Sequence, residues 1–135
     1  MIQVTCAIII QNGKVLVAQN NESSDHPLQW EFPGGKIKSG ETAKACIVRE
    51  IKEELNLHVQ VQEKLIPVEH DYKIKCIRLI PFVCVVISGD VKLNDHKAVK
   101  WLTMDELTEL DWAEADRRLL LNEENLHRLK EHAGK

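Results

Sequence analysis

Residues 34–57 read GGKIKSGETAKACIVREIKEELNL, and this stretch decides which fold and which chemistry to expect. Its second half favours a helix. On a helix, Glu50, Glu53 and Glu54 lie on one face, because positions i, i+3 and i+4 are neighbours. The apolar side chains fall on a different side, which would face the core: Ile47, Val48, Ile51 and Leu55. We therefore predict a helix with an apolar stripe and an adjoining row of carboxylates.

The row formed by Glu50, Glu53 and Glu54, here called the acidic ridge, needs a physical explanation. Like charges at this spacing repel one another, and negative charge is disfavoured near a helix C-terminus. Clustered carboxylate oxygens are the ligands that hard divalent cations such as Mg²⁺ and Mn²⁺ prefer. The ridge therefore predicts a divalent metal site, and a merely solvated acidic face is the alternative.

The spacing of these residues resembles the Nudix box, G-x5-E-x7-R-E-U-x-E-E-x-G-U, in which U is aliphatic. Counted from Gly35, the pattern passes Glu41 and ends in the run at residues 49–57. Every fixed position matches except the last glycine, which is Asn56 here. Asn is the next-best residue to Gly for the left-handed end of a helix. The run WEFPGGKI at residues 30–37 further resembles the MutT-like and CTP pyrophosphohydrolase-like branch of the Nudix hydrolase superfamily.

This resemblance implies an α/β fold, the Nudix-type α/β/α sandwich with a mixed β-sheet. It also implies a Mg²⁺-dependent nucleoside triphosphate pyrophosphohydrolase that releases a nucleoside monophosphate and pyrophosphate. The expected substrate is a modified dNTP such as 8-oxo-dGTP, or a pyrimidine nucleotide such as CTP or 5-methyl-dCTP. Two alternatives stay open: hydrolysis of ADP-ribose or a dinucleoside polyphosphate, and a nucleotide-binding regulator without catalysis.

The resemblance also implies the metal ligands, which are the Gly34 carbonyl, the three ridge carboxylates and an acid on a later loop. Asp95 matches that acid, because it precedes Trp101 at the spacing where MutT-like proteins carry a glutamate. It could bind metal or accept a proton from water, and a plain loop aspartate is the alternative. His96, beside it, is a second candidate base.

Two residues are expected to orient the ridge rather than to bind metal. Arg49 lies near the ridge, and its guanidinium can fix carboxylates by bidentate pairing. We count it with Glu50, Glu53 and Asp95 as catalytic. Glu41 precedes the helix, where negative charge is favoured, so helix capping is its alternative role.

Four residues are expected to bind the substrate. Lys36 follows the glycine pair and should reach phosphate oxygens. By the spacing of MutT-like enzymes, Asp116 stands where an Asn reads the base edge. An ionised Asp only accepts hydrogen bonds, so it would favour the amino group of cytosine or adenine, or the N–H groups of guanine. Phe32 either stacks on the base or packs in the core, and Asn20 replaces an arginine of the MutT pattern.

Length and composition describe one domain over residues 1–135. The net charge of −3 gives no general attraction for nucleic acid polymers. The four cysteines show no C-x-x-C spacing and suggest buried, reduced thiols in a reducing compartment such as the cytoplasm. We find no signal peptide, and the longest apolar run is too short to span a bilayer. We therefore expect a nucleotide partner and no membrane, and a monomer or a homodimer.

Runs rich in β-branched and apolar residues predict strands or extended segments. These cover residues 2–10, 15–18, 28–32, 59–70, 73–87 and 98–102. Asn12-Gly13 is a hairpin turn signal. Residues 103–106 have the spacing of a capping box before a short helix, and residues from about 112 to 131 are expected to form one final helix.

Overall fold

The structure is a computed structural model that describes residues 1–134. Within that range the chain forms eight strands, three α-helices and one 3₁₀ helix. In chain order they are β1 (Ile2–Gln11), β2 (Lys14–Gln19), β3 (Trp30–Glu31), β4 (Gly34–Lys36), α1 (Ala43–Leu55), β5 (His58–Lys64), β6 (Val68–Asp71), β7 (Cys76–Ser88), β8 (Ala98–Leu102), the 3₁₀ helix (Asp105–Glu109), α2 (Glu114–Leu121) and α3 (Glu123–Ala133).

The strands form one mixed sheet in the order β3-β2-β1-β7-β5. The long strands β1 and β7 run parallel, from Ile2 opposite Ile77 to Ile9 opposite Cys84. The other pairings between strands are antiparallel, and they attach β4 to β1, β6 to β7 and β8 to β2. The predicted mixed sheet of the α/β class is confirmed.

Strand β1 lies at the centre of the sheet, and both of its faces are therefore buried. Side chains alternate along a strand, so neighbouring residues enter different cores. One core contains Cys6, Ile8, Ile10 and the α2 and α3 side chains Leu119 and Leu129. The other contains Ala7, Ile9 and the α1 side chains Ile47, Ile51 and Leu55. The sheet is thus sandwiched between α1 on one face and α2 with α3 on the other.

Helix α1 begins and ends as its sequence dictates. The Thr42 side chain accepts a hydrogen bond from the Ala45 N–H at 3.1 Å and so caps the N-terminus. Asn56 ends the helix with φ 59° and ψ 30°, and its N–H donates to the Lys52 carbonyl. The left-handed conformation predicted for Asn56 is therefore confirmed.

The strand expected over residues 59–70 is wrong as one continuous element. It divides into β5 and β6, which both pair with β7, and the gap lies opposite Pro81. The Leu65 N–H donates to the Pro81 carbonyl at 2.9 Å, but proline has no N–H to donate in return, so this pair makes one hydrogen bond instead of two. Asn125 from α3 binds the backbone of the next residue, because it accepts from the Ile66 N–H at 2.8 Å and donates to the Ile66 carbonyl at 2.9 Å.

The single final helix is also wrong, because α2 and α3 are separate helices that meet at Asn122. The Asn122 side chain accepts from the Asn125 N–H at 3.0 Å and caps α3. Sequence analysis also missed β4, the short strand that contains the glycine pair.

Two smaller expectations are also resolved. One half of the expected capping box is present, since the Thr103 N–H donates to the Glu106 carboxylate at 2.9 Å. The Thr103 hydroxyl also donates to that carboxylate and does not cap the helix, which is 3₁₀. All four cysteines are free thiols, and Cys76 is exposed rather than buried. No helix within residues 1–134 is long and apolar enough to cross a membrane.

Replacing Asn125 with Ala is expected to lower the free energy of unfolding by about 1–3 kcal/mol, because both backbone groups of Ile66 lose their partner. Urea denaturation measures this. As a matched control, removal of the exposed Gln62 amide from β5 by Gln62→Ala should change stability by less than about 0.5 kcal/mol. Equal changes in the two variants would show that Asn125 does not bridge the gap between β5 and β6.

Candidate active site

The glycine pair lies where no side chain fits. A Cβ on Gly34 would lie 2.7 Å from the Cys6 Cα of β1, and a Cβ on Gly35 would lie 2.7 Å from Oε1 of Glu50 on α1. Both distances are shorter than real Cβ contacts. The glycines are therefore required for close approach, and they bring β4 between the central strand and the acidic ridge.

The small residue Cys46 on the ridge side of α1 makes room for the protein's own backbone. Its thiol lies 3.4 Å from the Lys36 carbonyl, and the Thr5 hydroxyl donates to the Gly35 carbonyl at 3.1 Å. The space beside Cys46 on this side of α1 is thus occupied by β4.

Arg49 donates hydrogen bonds to two of the ridge acids and to Glu41. It pairs bidentately with Glu41, through Nε at 2.7 Å and Nη2 at 2.9 Å. Its Nη1 donates to Glu50 at 2.8 Å and to Glu53 at 3.2 Å. These bonds, led by that to Glu41, raise the pKa of Arg49 above its ordinary value. The expected orienting contacts of Arg49 are present in the structure.

Glu41 serves Arg49 and the preceding loop rather than the end of the helix. Its Oε1 also accepts from the Lys38 N–H at 3.1 Å, while Thr42 caps α1. The Arg49 hydrogen bonds, followed by that from Lys38, lower the pKa of Glu41 to about 2. The carboxylate therefore stays charged and holds Arg49 against the ridge.

Glu54 differs from the other two ridge acids because it points inward. Its Oε2 is buried and has no hydrogen-bond partner among the described residues. Burial, followed by the charges of Glu31 and Glu50, raises the pKa of Glu54 to about 9, against a backbone hydrogen bond from Gly34 that lowers it. A carboxylate in this position lacks a counter-charge.

The ridge therefore fits a divalent cation by its donor set and by this orphaned oxygen. No three acidic, histidine or cysteine side chains in residues 1–134 already converge in a ligating arrangement. Arg49 holds Glu50 and Glu53, whereas Glu54 lines the ridge cavity. The ligand role of these three residues, and of the Gly34 carbonyl, stays a prediction.

A polar cavity of about 330 Å³ lies beside Glu54, and it contains the loop acid Asp95. Its lining residues are Asn20, Asn21, Ser23, Ser24, Glu31, Glu54, Asp95 and His96. We call it the ridge cavity. The predicted proximity of Asp95 to the ridge is therefore found for Glu54. His96 is already bonded through Nε2 to Glu31 at 2.9 Å, which argues against it as the base.

A second cavity, of about 230 Å³, shares Glu31 with the ridge cavity and is here called the base cleft. Asp116, Phe32 and Lys36 line it, as predicted for substrate-binding residues. Asp116 is buried, and its Oδ1 accepts from the Phe32 N–H at 2.9 Å. Burial, and then the charge of Glu31, raises the pKa of Asp116 well above its ordinary value.

Phe32 and Asn20, the other two predicted substrate-binding residues, also make contacts within the protein. The Phe32 side chain is only 3% exposed and packs on Trp112, with ring centroids 4.8 Å apart, so core packing is its main role. Asn20 lines the ridge cavity instead of the base cleft and donates to Glu31 at 3.3 Å. The structure thus does not bring Asn20 together with Asp116.

Sequence analysis missed three residues of this region. Glu31 lines both cavities, and its only sequence signal was an acid between two aromatic residues. His26 and Tyr72 lie at the base cleft with ring centroids 4.6 Å apart. These two are 46 positions apart in the chain, so no local pattern could have paired them.

Comparison with known proteins agrees with this geometry. Residues 1–122 match the sequence profile of the NUDIX domain. The chain is 33% identical over 120 residues to the CTP pyrophosphohydrolase of Escherichia coli (strain K12), which covers 89% of each chain. It is 28% identical over 127 residues to the 8-oxo-dGTP diphosphatase of Haemophilus influenzae (strain ATCC 51907 / DSM 11121 / KW20 / Rd), covering 91% of this chain and 93% of that protein.

A solved structure shows the same architecture. The solution structure of the E. coli ORF135 protein is similar with a TM-score of 0.80 at 32% identity, over 96% of this chain and 91% of that chain. The likeness therefore extends well beyond the glycine pair and the ridge to nearly the whole chain.

In the metal-free protein, Glu54 is expected to make stability fall with rising pH. Its pKa is about 9 in the folded state and about 4.3 in the unfolded state, so the folded state holds the extra proton between these values. The stabilisation of the folded state by Glu54 is complete below about pH 4 and is lost as pH rises through 9. Glu54→Gln should remove this loss, which urea denaturation in EDTA from pH 6 to 9 measures.

The comparison variant for Glu54→Gln is Glu109→Gln, at the exposed end of the 3₁₀ helix. The stability difference between Glu54→Gln and the unmodified protein should grow with pH, whereas that of Glu109→Gln should stay constant. A constant difference for Glu54→Gln would mean that its carboxyl group is charged throughout this range.

Proposed function

The chain belongs to the Nudix family, as its sequence pattern predicted, and on this premise we propose that it hydrolyses nucleoside triphosphates. The products are a nucleoside monophosphate and pyrophosphate, and the divalent cation is Mg²⁺, with Mn²⁺ as a substitute. The observation that carries the proposal is that two cavities meet at Glu31. One holds Glu54 and Asp95, and the other is the base cleft.

A phosphoanhydride resists attack because its negative oxygens repel a nucleophile. When bound, the divalent cation would supply charge neutralisation and activation of water. The residues that would hold it are the three ridge carboxylates, the Gly34 carbonyl and Asp95. The buried, unpartnered oxygen of Glu54 supports this assignment most directly.

The protein's own groups have separate tasks around that cation. Arg49 fixes the rotamers of Glu50 and Glu53 through its two Nη1 hydrogen bonds. Glu53 is the more exposed of this pair, with 54% of its side chain accessible against 16% for Glu50, so it is our choice to accept the proton from water. Lys36 is exposed at the end of β4 beside the base cleft, where its ammonium group would bind phosphate oxygens.

The base cleft favours a nucleobase that presents hydrogen-bond donors. Asp116 and Glu31 both line it, and the oxygens of a carboxyl group offer more acceptor sites than donor sites. The amino group of cytosine and the N1–H and amino groups of guanine are suitable donors. Relatives named CTP pyrophosphohydrolase and 8-oxo-dGTP diphosphatase support the same two classes. We therefore propose CTP, 5-methyl-dCTP or 8-oxo-dGTP as substrate.

Three further features of the protein follow as proposals. Both cores belong to one sheet, which supports a single domain. All four cysteines are free thiols, which supports a reducing compartment such as the cytoplasm. The ridge keeps all three acids, which favours an enzyme over a regulator without catalysis.

Replacing Glu53 with Gln should lower kcat for the preferred nucleotide about 100-fold or more, because the amide cannot accept the proton and is a poor metal ligand. Pyrophosphate release with Mg²⁺ measures this over a panel of CTP, 5-methyl-dCTP, 8-oxo-dGTP, dGTP and ADP-ribose. Glu123→Gln, on the exposed first turn of α3, is the control and should keep full activity. An active Glu53→Gln enzyme would refute the ridge as the catalytic centre.

Replacing Asp116 with Asn should change base preference and leave the fold intact. The Asn carbonyl can still accept from the Phe32 N–H, while an NH₂ group, which donates, replaces the other carboxyl oxygen. The ratio of kcat/KM between cytosine and guanine nucleotides should shift by about 5- to 150-fold, the value of one well-formed base contact. If Asp116 only supports Phe32, the ratio will stay constant across the panel.

A further inference from the structure

We propose that Glu31 and His96 transmit recognition of the base to the loop that carries Asp95. In this arrangement His96 is a positioning residue, and the enzyme discriminates between bases in kcat as well as in KM. The inference rests on the proposed function, because it concerns how that reaction selects its substrate. The Asp95 loop is defined here as residues 94–97.

Glu31 stands in the wall between the two cavities. It is the one residue that lines both the base cleft and the ridge cavity among those the structure describes. Its backbone is fixed, because β3 pairs with β2 and places Glu31 opposite Ala18. Its carboxylate is held on one oxygen by Asn20 at 3.3 Å and on the other by His96 at 2.9 Å.

His96 is buried although the loop around it is exposed. Only 6% of its side chain is accessible, whereas Asn94, Asp95 and Lys97 are exposed residues. An ionised carboxylate only accepts hydrogen bonds, so His96 Nε2 carries the hydrogen toward Glu31. Nδ1 is buried and has no partner within residues 1–134. Glu31 therefore provides the polar contact that keeps this imidazole inward.

The remaining tethers of the Asp95 loop lie on the side of the ridge cavity. The Asn94 N–H donates to the Glu54 carbonyl at 3.2 Å, and the Lys97 N–H donates to the Gln19 carbonyl at 2.9 Å. The Asn21 side chain donates to the Asp95 carbonyl at 2.6 Å. None of these reaches the base cleft, so the Glu31–His96 contact is the direct link between the cleft and the loop in the described structure.

Through this link the position of Asp95 depends on which nucleobase is bound in the base cleft. A carboxylate has more acceptor sites than the two that Asn20 and His96 use, so Glu31 can accept a further bond from a base donor in the cleft. A base that presents an acceptor would instead repel the carboxylate and displace His96 with it. Displacement of a catalytic group by about 1 Å can lower the rate about 100-fold. A wrong base is thus penalised at the chemical step.

The kinetic test replaces His96 with Leu, which removes the hydrogen bond, and with Gln, whose Nε2 can restore it. For the best nucleotide of the panel, His96→Leu should lower kcat at least tenfold and change KM less than threefold. For the worst nucleotide the fall should be under threefold, so the preference collapses. His96→Gln should recover kcat to within threefold. His127→Leu, on the exposed face of α3, is the control and should match the unmodified enzyme.

A second measurement avoids turnover. Hydrogen exchange of the amides of residues 94–97 is followed in EDTA, with the best nucleotide, the worst nucleotide or inorganic tripolyphosphate added. The best nucleotide should slow exchange in the unmodified protein, whereas the worst nucleotide and tripolyphosphate should not. The protection should vanish in His96→Leu and in Glu31→Gln and return in His96→Gln.

Two outcomes would overturn the inference. One is an equal fall in kcat for the best and the worst nucleotide in His96→Leu, which indicates a general role in holding the loop. The other is equal protection by tripolyphosphate, which carries no base. Failure of the proposed function looks different, because the unmodified protein would then release no pyrophosphate from any nucleotide of the panel.

Discussion

The close approach of the Gly34–Gly35 backbone to β1 on one side and to Glu50 on the other is the constraint from which the rest of this structure follows. Any side chain at either position would collide with backbone or carboxylate atoms. The approach places a short strand between β1 and α1, and that strand forms part of the lining of the base cleft, which meets the ridge cavity at Glu31. Fold and chemistry therefore share one steric requirement, which explains why the stretch that sets the fold also contains the site.

Negative charge is concentrated around this strand, and the repulsion between these carboxylates lowers the stability of the folded state. The negative charges of Glu31 and Glu50 raise the pKa of Glu54. The charge of Glu31 also raises the pKa of Asp116, which lines the base cleft. Arg49 offsets part of that charge, but only on the Glu41, Glu50 and Glu53 side. Such local conflict between stability and composition is expected where a protein keeps groups for function.

The sequence predicted what local patterns govern. The C-terminal end of α1 at Asn56, its buried stripe, the β1–β2 hairpin and the placing of the three ridge acids on one helix all depend on residues a few positions apart. It failed where the deciding partner is distant. Pro81 and Asn125 together divide the strand expected over residues 59–70, and Glu31 meets His96 across 65 positions. Phe32 was ambiguous for the same reason, since only Trp112 decides that it belongs to the core.

The role of Asn125 also bears on where the folded unit stops. The profile of the family ends at residue 122, yet Asn125 lies beyond it and completes the hydrogen bonding of the sheet at Ile66. Leu129, fully buried in the same core as Leu119, lies beyond it too. A truncation after residue 122 would therefore remove the Asn125 hydrogen bonds to Ile66, between β5 and β6. It would also remove Leu129 from the hydrophobic core.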